Sequence, residues 1–200
     1  AKSGTPEMKQ YTSGEMMRTK NFYLLLATMF FGLISYFMVS PVSQTYQIDL
    51  GIPSAVAVSA VMLGSIVNAG ARLVLPTLAD KVGRIVCIKG VLIVAVIAMG
   101  VLAVSRSLAV TVAVVLMYGC YGGIMGSFPS LTSSIFGMKH TGENYGFVMF
   151  GIVFATFGAP AISGLVSSNG YEMNVVFGIG AVFAVIAFVC LTLLGRNLVK

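Results

Sequence analysis

Six long apolar runs, at about 22–43, 54–79, 85–104, 108–134, 146–167 and 174–195, leave this chain few ways to fold. Each holds roughly 20 residues or more, the length a helix needs to cross about 30 Å of hydrocarbon. A transmembrane strand needs only about ten residues of alternating polarity, and the runs show no such alternation. Within lipid a helix also satisfies its own backbone polar groups. The expected fold is an all-α integral membrane protein with six transmembrane helices in a lipid bilayer. Composition agrees, since 58% of residues are hydrophobic and only 9% are charged, against about 25% charged in soluble domains.

The net charge of +6 would suggest a nucleic-acid partner in a soluble protein. Here the basic residues sit in short connections between apolar runs, so no nucleic acid is expected and the charge reads as topology. With the N-terminus inside, cytoplasmic segments hold Lys2, Lys9, Arg18, Lys20, Lys81, Arg84, Lys89, Lys139, Arg196 and Lys200, leaving only Arg106 outside. The expected protein is thus multi-pass in a cell membrane with both termini cytoplasmic. Residues 1–20 read as a cytoplasmic linker with a short interfacial helix over Ser13–Thr19. Residues 21–196 form the membrane domain, and 197–200 a cytoplasmic tail.

Gln44–Pro53 reads as the longest outer connection, 104–107 as a tight reversal, and Gly137–Gly146 as a cytoplasmic turn in which His140 is solvated. A polar opening segment beginning at Ala1 without a signal peptide suggests a piece of a longer chain. Cys87, Cys120 and Cys190 lie scattered in apolar runs without metal-type spacing and read as small core residues.

The informative stretch is Gly64–Arg84. It carries Asn68 and Arg72 one helical turn apart within an apolar run, and ends in the charged turn Asp80-Lys81-Val82-Gly83-Arg84. An arginine inside an apolar span is costly and marks a candidate site. It stands eight residues, about 12 Å of helix, before Asp80. Two readings are open. Arg72 is either a snorkelling or internally paired arginine, or the anion anchor of a polar stripe made by Val61, Ser65, Asn68 and Arg72 on one helix face. A guanidinium fork suits a carboxylate.

The fourth run is rich in glycine. Gly119/Gly123 and Gly122/Gly126 are pairs four apart that let another helix approach closely. Between them, Tyr118 and Tyr121 need hydrogen-bond partners within the span; they either line a cavity or bond to a neighbouring backbone. The fifth run has Gly151, Gly158, Pro160 and Gly164, so kinks are expected there. The sixth has no polar hook and reads as lipid-facing or structural. No apolar run holds an Asp, Glu or His, no pair of carboxylates or nucleophile–base pair stands at a recognisable spacing, and no nucleotide loop or metal cluster occurs. No enzyme activity, cofactor or metal is therefore expected.

The turn Asp80-Lys81-Val82-Gly83-Arg84 resembles the loop signature of the major facilitator superfamily, G-x-x-x-D-[RK]-x-G-R-[RK]. Pro76 stands in place of its first glycine and Ile85 in place of its last basic residue. Asn68-Ala-Gly-Ala-Arg72, Phe136-Gly137 and Asn144-Tyr-Gly146 are similar to the oxalate/formate antiporter family. The resemblance covers the chain from Tyr11 onward as a C-terminal six-helix half.

It implies two inverted three-helix repeats with a substrate site near the midplane. The missing partner would be an N-terminal six-helix half or a second copy. Substrate-binding residues would be Arg72, Asn68, Tyr118 and Tyr121, and a gating loop Asp80, Lys81, Gly83 and Arg84. Relatives that carry a dicarboxylate are expected to place a second cation in the penultimate helix. Gly146–Ser167 has none, which points to a monocarboxylate unless the missing half supplies the charge. The expected function is half of a secondary transporter for a small organic anion, of the oxalate/formate type. An anion channel and a non-transporting receptor or scaffold are the alternatives.

Overall fold

A computed structural model describes residues 9–199, so the first eight residues of the expected linker and Lys200 lie outside the described residues. Among the described residues the secondary structure is helical throughout. A five-residue helix α1 (Ser13–Met17) precedes α2 (Lys20–Val39), which runs through a 3-10 turn at Ser40–Val42 into α3 (Ser43–Asp49). Then follow α4 (Ser54–Val82), α5 (Arg84–Val104), α6 (Ala109–Phe136), α7 (Thr141–Val148), α8 (Phe150–Ser168) and α9 (Met173–Val199). Taking α2–α3 and α7–α8 each as one span, six helical segments are long and apolar enough to cross a membrane.

Packing follows an internal symmetry. If α2–α3, α4 and α5 form one unit and α6, α7–α8 and α9 the other, the first helix of each unit packs on the second and third helices of the opposite unit. The two third helices, α5 and α9, pack on each other. The second helices, α4 and α8, bury the least of their surface, so each leaves a side open. This is the arrangement of two three-helix repeats. The core between them holds Leu25, Met29, Leu33, Leu92, Met99, Phe128 and Phe177, all essentially inaccessible. The sixth run, though without a polar hook of its own, is structural: Ser35 donates to the Gly180 carbonyl at 2.8 Å, fixing α9 on α2.

Lipid gives helices no hydrophobic reason to associate, so close backbone packing must do it. The glycines of α6 serve that contact. A Cβ at Gly122 would collide with the Asn68 carbonyl, and one at Gly126 would lie 2.7 Å from the Arg72 carbonyl oxygen. Gly119 faces Val67, and Gly123 faces Leu75 and Val91. On the symmetric side, a Cβ at Gly151 of α8 would lie 3.0 Å from the Leu26 carbonyl of α2.

Two connections differ from the sequence expectation. The outer segment after α2 stays helical as far as Asp49. Its polar residues are packed: buried Gln47 donates to the Ser43 carbonyl at 2.7 Å, and Tyr46 stacks edge-on against Phe177 and donates to the Leu102 carbonyl. The expected turn up to Gly146 is shorter, because a helix already begins at Thr141. Local polarity reads as a loop, but Asn144 is fully buried and hydrogen-bonded to residues far earlier in the chain. The expected interfacial helix over Ser13–Thr19 is helical over Ser13–Met17. In the fifth span the helix is interrupted at Met149, while Pro160 lies inside the continuous α8.

Candidate functional site

Asn68 and Arg72 lie on α4, where α6 presses against their backbones through Gly122 and Gly126. Pro76, four residues after Arg72, has no N–H to give the Arg72 carbonyl, which loosens the helical ladder at this point. The glycines thus fix the position of the Arg72 backbone, while its side chain extends onto the open face.

The Arg72 Nε donates to Asn68 Oδ1 at 3.1 Å. Its guanidinium carbon sits 5.5 Å from the centre of the Tyr121 ring, within the range where a cation is attracted to an aromatic face. Tyr121 stacks on Tyr36 of α2 with ring centres 4.2 Å apart and planes 14° from parallel. Tyr118 meets Tyr36 edge-on at 5.3 Å. Asn68, Arg72, Tyr121 and Tyr36 therefore form one contiguous group drawn from three helices. Among the described residues the ion pairs are Arg84–Asp80, Arg106–Glu172 and His140–Glu143, and none of them neutralises Arg72.

The residues singled out in the sequence do not all stand alike. Asn68, Arg72 and Tyr121 are brought together. Tyr118 is buried behind them, its ring against Gly64 and its hydroxyl 3.3 Å from the Ser43 hydroxyl, so it supports the aromatic group from the rear. Ser65, on the expected polar stripe, spends its hydroxyl on the Val61 carbonyl. Tyr36 escaped notice in the sequence, where an aromatic residue in an apolar run looks like core. The flanking Ser35 and Ser40 were the only hint.

The charged turn lies at the far end of α4. Asp80 and Arg84 form an ion pair at 3.2 Å across Gly83, the single residue that separates α4 from α5. Gly83 adopts φ +98°, which a side chain would strain, so this helix reversal calls for glycine. Lys81 is exposed in the last turn of α4, where a cation complements the helix dipole. A hollow of about 620 Å³ opens beside Asp80, Arg84 and Ser134, and an apolar one of about 810 Å³ lies between α4, α5 and α6. Neither includes Arg72, which belongs to an open face and not to an enclosed cavity.

A six-helix membrane unit of two like repeats, with Arg72 inside an apolar span and a D-K-V-G-R turn after it, is consistent with a six-helix half of a major facilitator fold. The sequence profile of the Major Facilitator Superfamily matches residues 3–155, and the chain belongs to that family. Its members are transporters, not enzymes. The chain is 27% identical over 187 residues to the oxalate:formate antiporter of Oxalobacter formigenes, covering 92% of this chain and 44% of the relative. It is 32% identical over 146 residues to the uncharacterized MFS-type transporter YhjX of Escherichia coli (strain K12), covering 72% of this chain and 36% of the relative. The chain thus spans less than half the length of these curated relatives.

Proposed function

We propose that this chain is the C-terminal half of a secondary transporter that carries a small organic anion by alternating access. The observation that carries this reading is Arg72: a guanidinium within an apolar span, seated against Tyr121, with no carboxylate pairing it among the described residues. With Nε engaged by Asn68, the two terminal nitrogens remain as the fork suited to a carboxylate. The aromatic wall of Tyr121 and Tyr36 would shelter the flat carboxylate from water.

One wall does not make a cavity. The open sides of α4 and α8 would be closed by an N-terminal half or a second copy, in keeping with the greater length of the relatives. The Asp80–Arg84 turn would gate the cytoplasmic side, with both termini cytoplasmic in the cell membrane. The antiporter relative's name suggests a carboxylate of the oxalate or formate type. Helix α8 carries no basic residue, so a monocarboxylate is favoured over a dicarboxylate.

The test is exchange in liposomes holding the full-length protein, loaded with formate or oxalate, with the labelled anion added outside. Saturable uptake that depends on the internal anion supports the reading, with formate preferred. A steady anion conductance without exchange would contradict it in favour of a channel. Absence of uptake of both anions, with absence of binding, would contradict it in favour of a receptor or scaffold.

A further inference from the structure

The two hollows beside α4 meet at one residue. Val86, near the start of α5, lines both of them. On one side is the polar hollow of about 620 Å³, with Asp80, Arg84 and Ser134 in its wall. On the other is the apolar hollow of about 810 Å³, which follows α4 from Val67 to Val82. That stretch is roughly 22 Å of helix at 1.5 Å per residue. One leaflet supplies half of a hydrocarbon layer about 30 Å thick, so the groove is long enough for one extended acyl chain.

The polar end holds an unspent donor. Arg84 gives Nη2 to Asp80 at 3.2 Å, while its Nε is buried with no hydrogen-bond partner among the described residues. A buried N–H left unmatched is costly, and an acceptor brought to this point would satisfy it. The local charge favours an anion. Among the described residues lining the hollow Asp80 is the only acid, and Arg84 already answers it. Lys81 in the same turn and Arg196, two residues before the lining Leu198, add exposed positive charge.

The apolar end offers no polar group to a ligand. Cys87 and Cys120 line it, but their thiols are directed to the Leu75 and Val91 carbonyls. Gly70 of α4 and Gly90 of α5 also line it, and a Cβ on either would meet nothing within 4 Å. Unlike the glycines of α6, these two make no close helix contact within the chain. What they leave is room in the groove.

We propose that the joined hollows bind an anionic phospholipid, with its phosphate at Arg84 and one acyl chain between α4 and α5. A cationic end continuous with an apolar groove fits a molecule that has a charged head and a long chain. A transmembrane helix seated on Gly70 and Gly90 would fill the groove but leave the Arg84 Nε unmet. The bound lipid would brace the reversal at Gly83. The proposal does not depend on the anion-site reading of Arg72.

The test titrates the full-length protein in mild detergent with phosphatidylglycerol, phosphatidylcholine or inorganic phosphate, and counts bound molecules by native mass spectrometry. Phosphatidylglycerol should bind saturably and more tightly than phosphatidylcholine. Gly90→Leu fills the groove and should weaken that binding at least tenfold, whereas Gly100→Leu, in open space elsewhere on α5, should not. Arg84→Gln should weaken it roughly tenfold, the loss of one hydrogen bond between charged groups, and should narrow the preference over phosphatidylcholine.

Gly90→Leu adds its bulk where nothing stands in the way, so it decides the question even if Arg84→Gln folds poorly. Phosphatidylglycerol binding unchanged in Gly90→Leu would overturn the proposal. Weakened cohesion with the other half in the same variant would then assign the groove to a helix. Inorganic phosphate that displaces the lipid and binds Gly90→Leu as tightly as the unaltered protein would mark a free-anion site, and would overturn it as well.

Discussion

Arg72 and Asn68 are joined by a side-chain hydrogen bond of 3.1 Å, one helical turn apart, directly where two glycines of α6 meet their backbones. The bond aims the guanidinium, and the glycines hold the turn of helix it rises from. A charge placed in an apolar span is thus oriented along its whole length, from backbone to fork.

The glycine contact is testable by volume. Gly122→Ala and Gly126→Ala push a methyl group into the Asn68 and Arg72 carbonyls, and overpacking of this kind costs about 1–3 kcal/mol. Gly100 has open space around it, so Gly100→Ala should be neutral or stabilise by about 0.5–1 kcal/mol through helix propensity. Thermal unfolding of the three variants in detergent checks the order. Equal melting temperatures would show that α6 does not seat Arg72 in this way.

For the charged turn, a stability effect and a functional effect should separate. The Asp80–Arg84 pair is solvent-accessible, with side-chain exposures of 62% and 35%, and such pairs contribute about 0–1 kcal/mol. Asp80→Asn should therefore leave the melting temperature nearly unchanged while slowing exchange, with affinity altered only a few fold. The comparison is exchange rate against equilibrium binding. A large loss of affinity at an unchanged rate constant would contradict a gating role.

Orientation has its own measurement. Asp49 and Ser168 end helices at one face of the bundle, and Lys139 lies in the turn at the other. Cysteines placed at Asp49 and Ser168 should react with an impermeant thiol reagent added outside cells, and one at Lys139 should not. Labelling of Lys139 from outside would reverse the topology drawn from loop charge.

Helix α1, closed by a capping box between Thr12 and Glu15, should loosen in acid. The Glu15 carboxyl is held below the usual carboxylate range, first by the Thr12 backbone N–H and then by the Thr12 hydroxyl. A depressed folded-state pKa means the contribution is present above the ordinary glutamate pKa of about 4.3 and is lost as pH falls through the folded value. Hydrogen exchange of the α1 amides, corrected for intrinsic rate, should therefore lose protection below that range. Glu15→Gln should show no such acid-dependent loss. An identical acid response in both proteins would show that the capping box does not hold α1.

Much of this was legible in the sequence, for reasons that differ residue by residue. The six spans are read directly from length and polarity, because lipid permits so few backbone solutions. Arg72 and Asn68 stand out because charge and amide are costly there. Tyr36 was not legible, since its stacking on Tyr121 exists only once α2 and α6 are packed. The Asp80–Arg84 pair was hidden because a chain reversal at Gly83 intervenes. The helix from Thr141 was missed because the partners of Asn144, Tyr11 and Ser13, lie 133 and 131 residues away in sequence. Polarity judged locally sees a loop where distant residues satisfy a buried amide.

The central claim is that Arg72 anchors a substrate carboxylate, and anion affinity of Arg72 variants in the full-length protein, measured beside their thermal stability, tests it most directly. Arg72→Lys keeps the charge and loses the fork, so affinity for formate or oxalate should fall roughly ten- to a hundredfold, the equivalent of about 1.5–3 kcal/mol. Arg72→Ala should bind more weakly still, with stability little changed because a costly charge has left the membrane. Its effect should also be non-additive with Asn68→Ala, as for two groups on one carboxylate. Unchanged affinity in a well-folded Arg72→Ala protein would contradict the account.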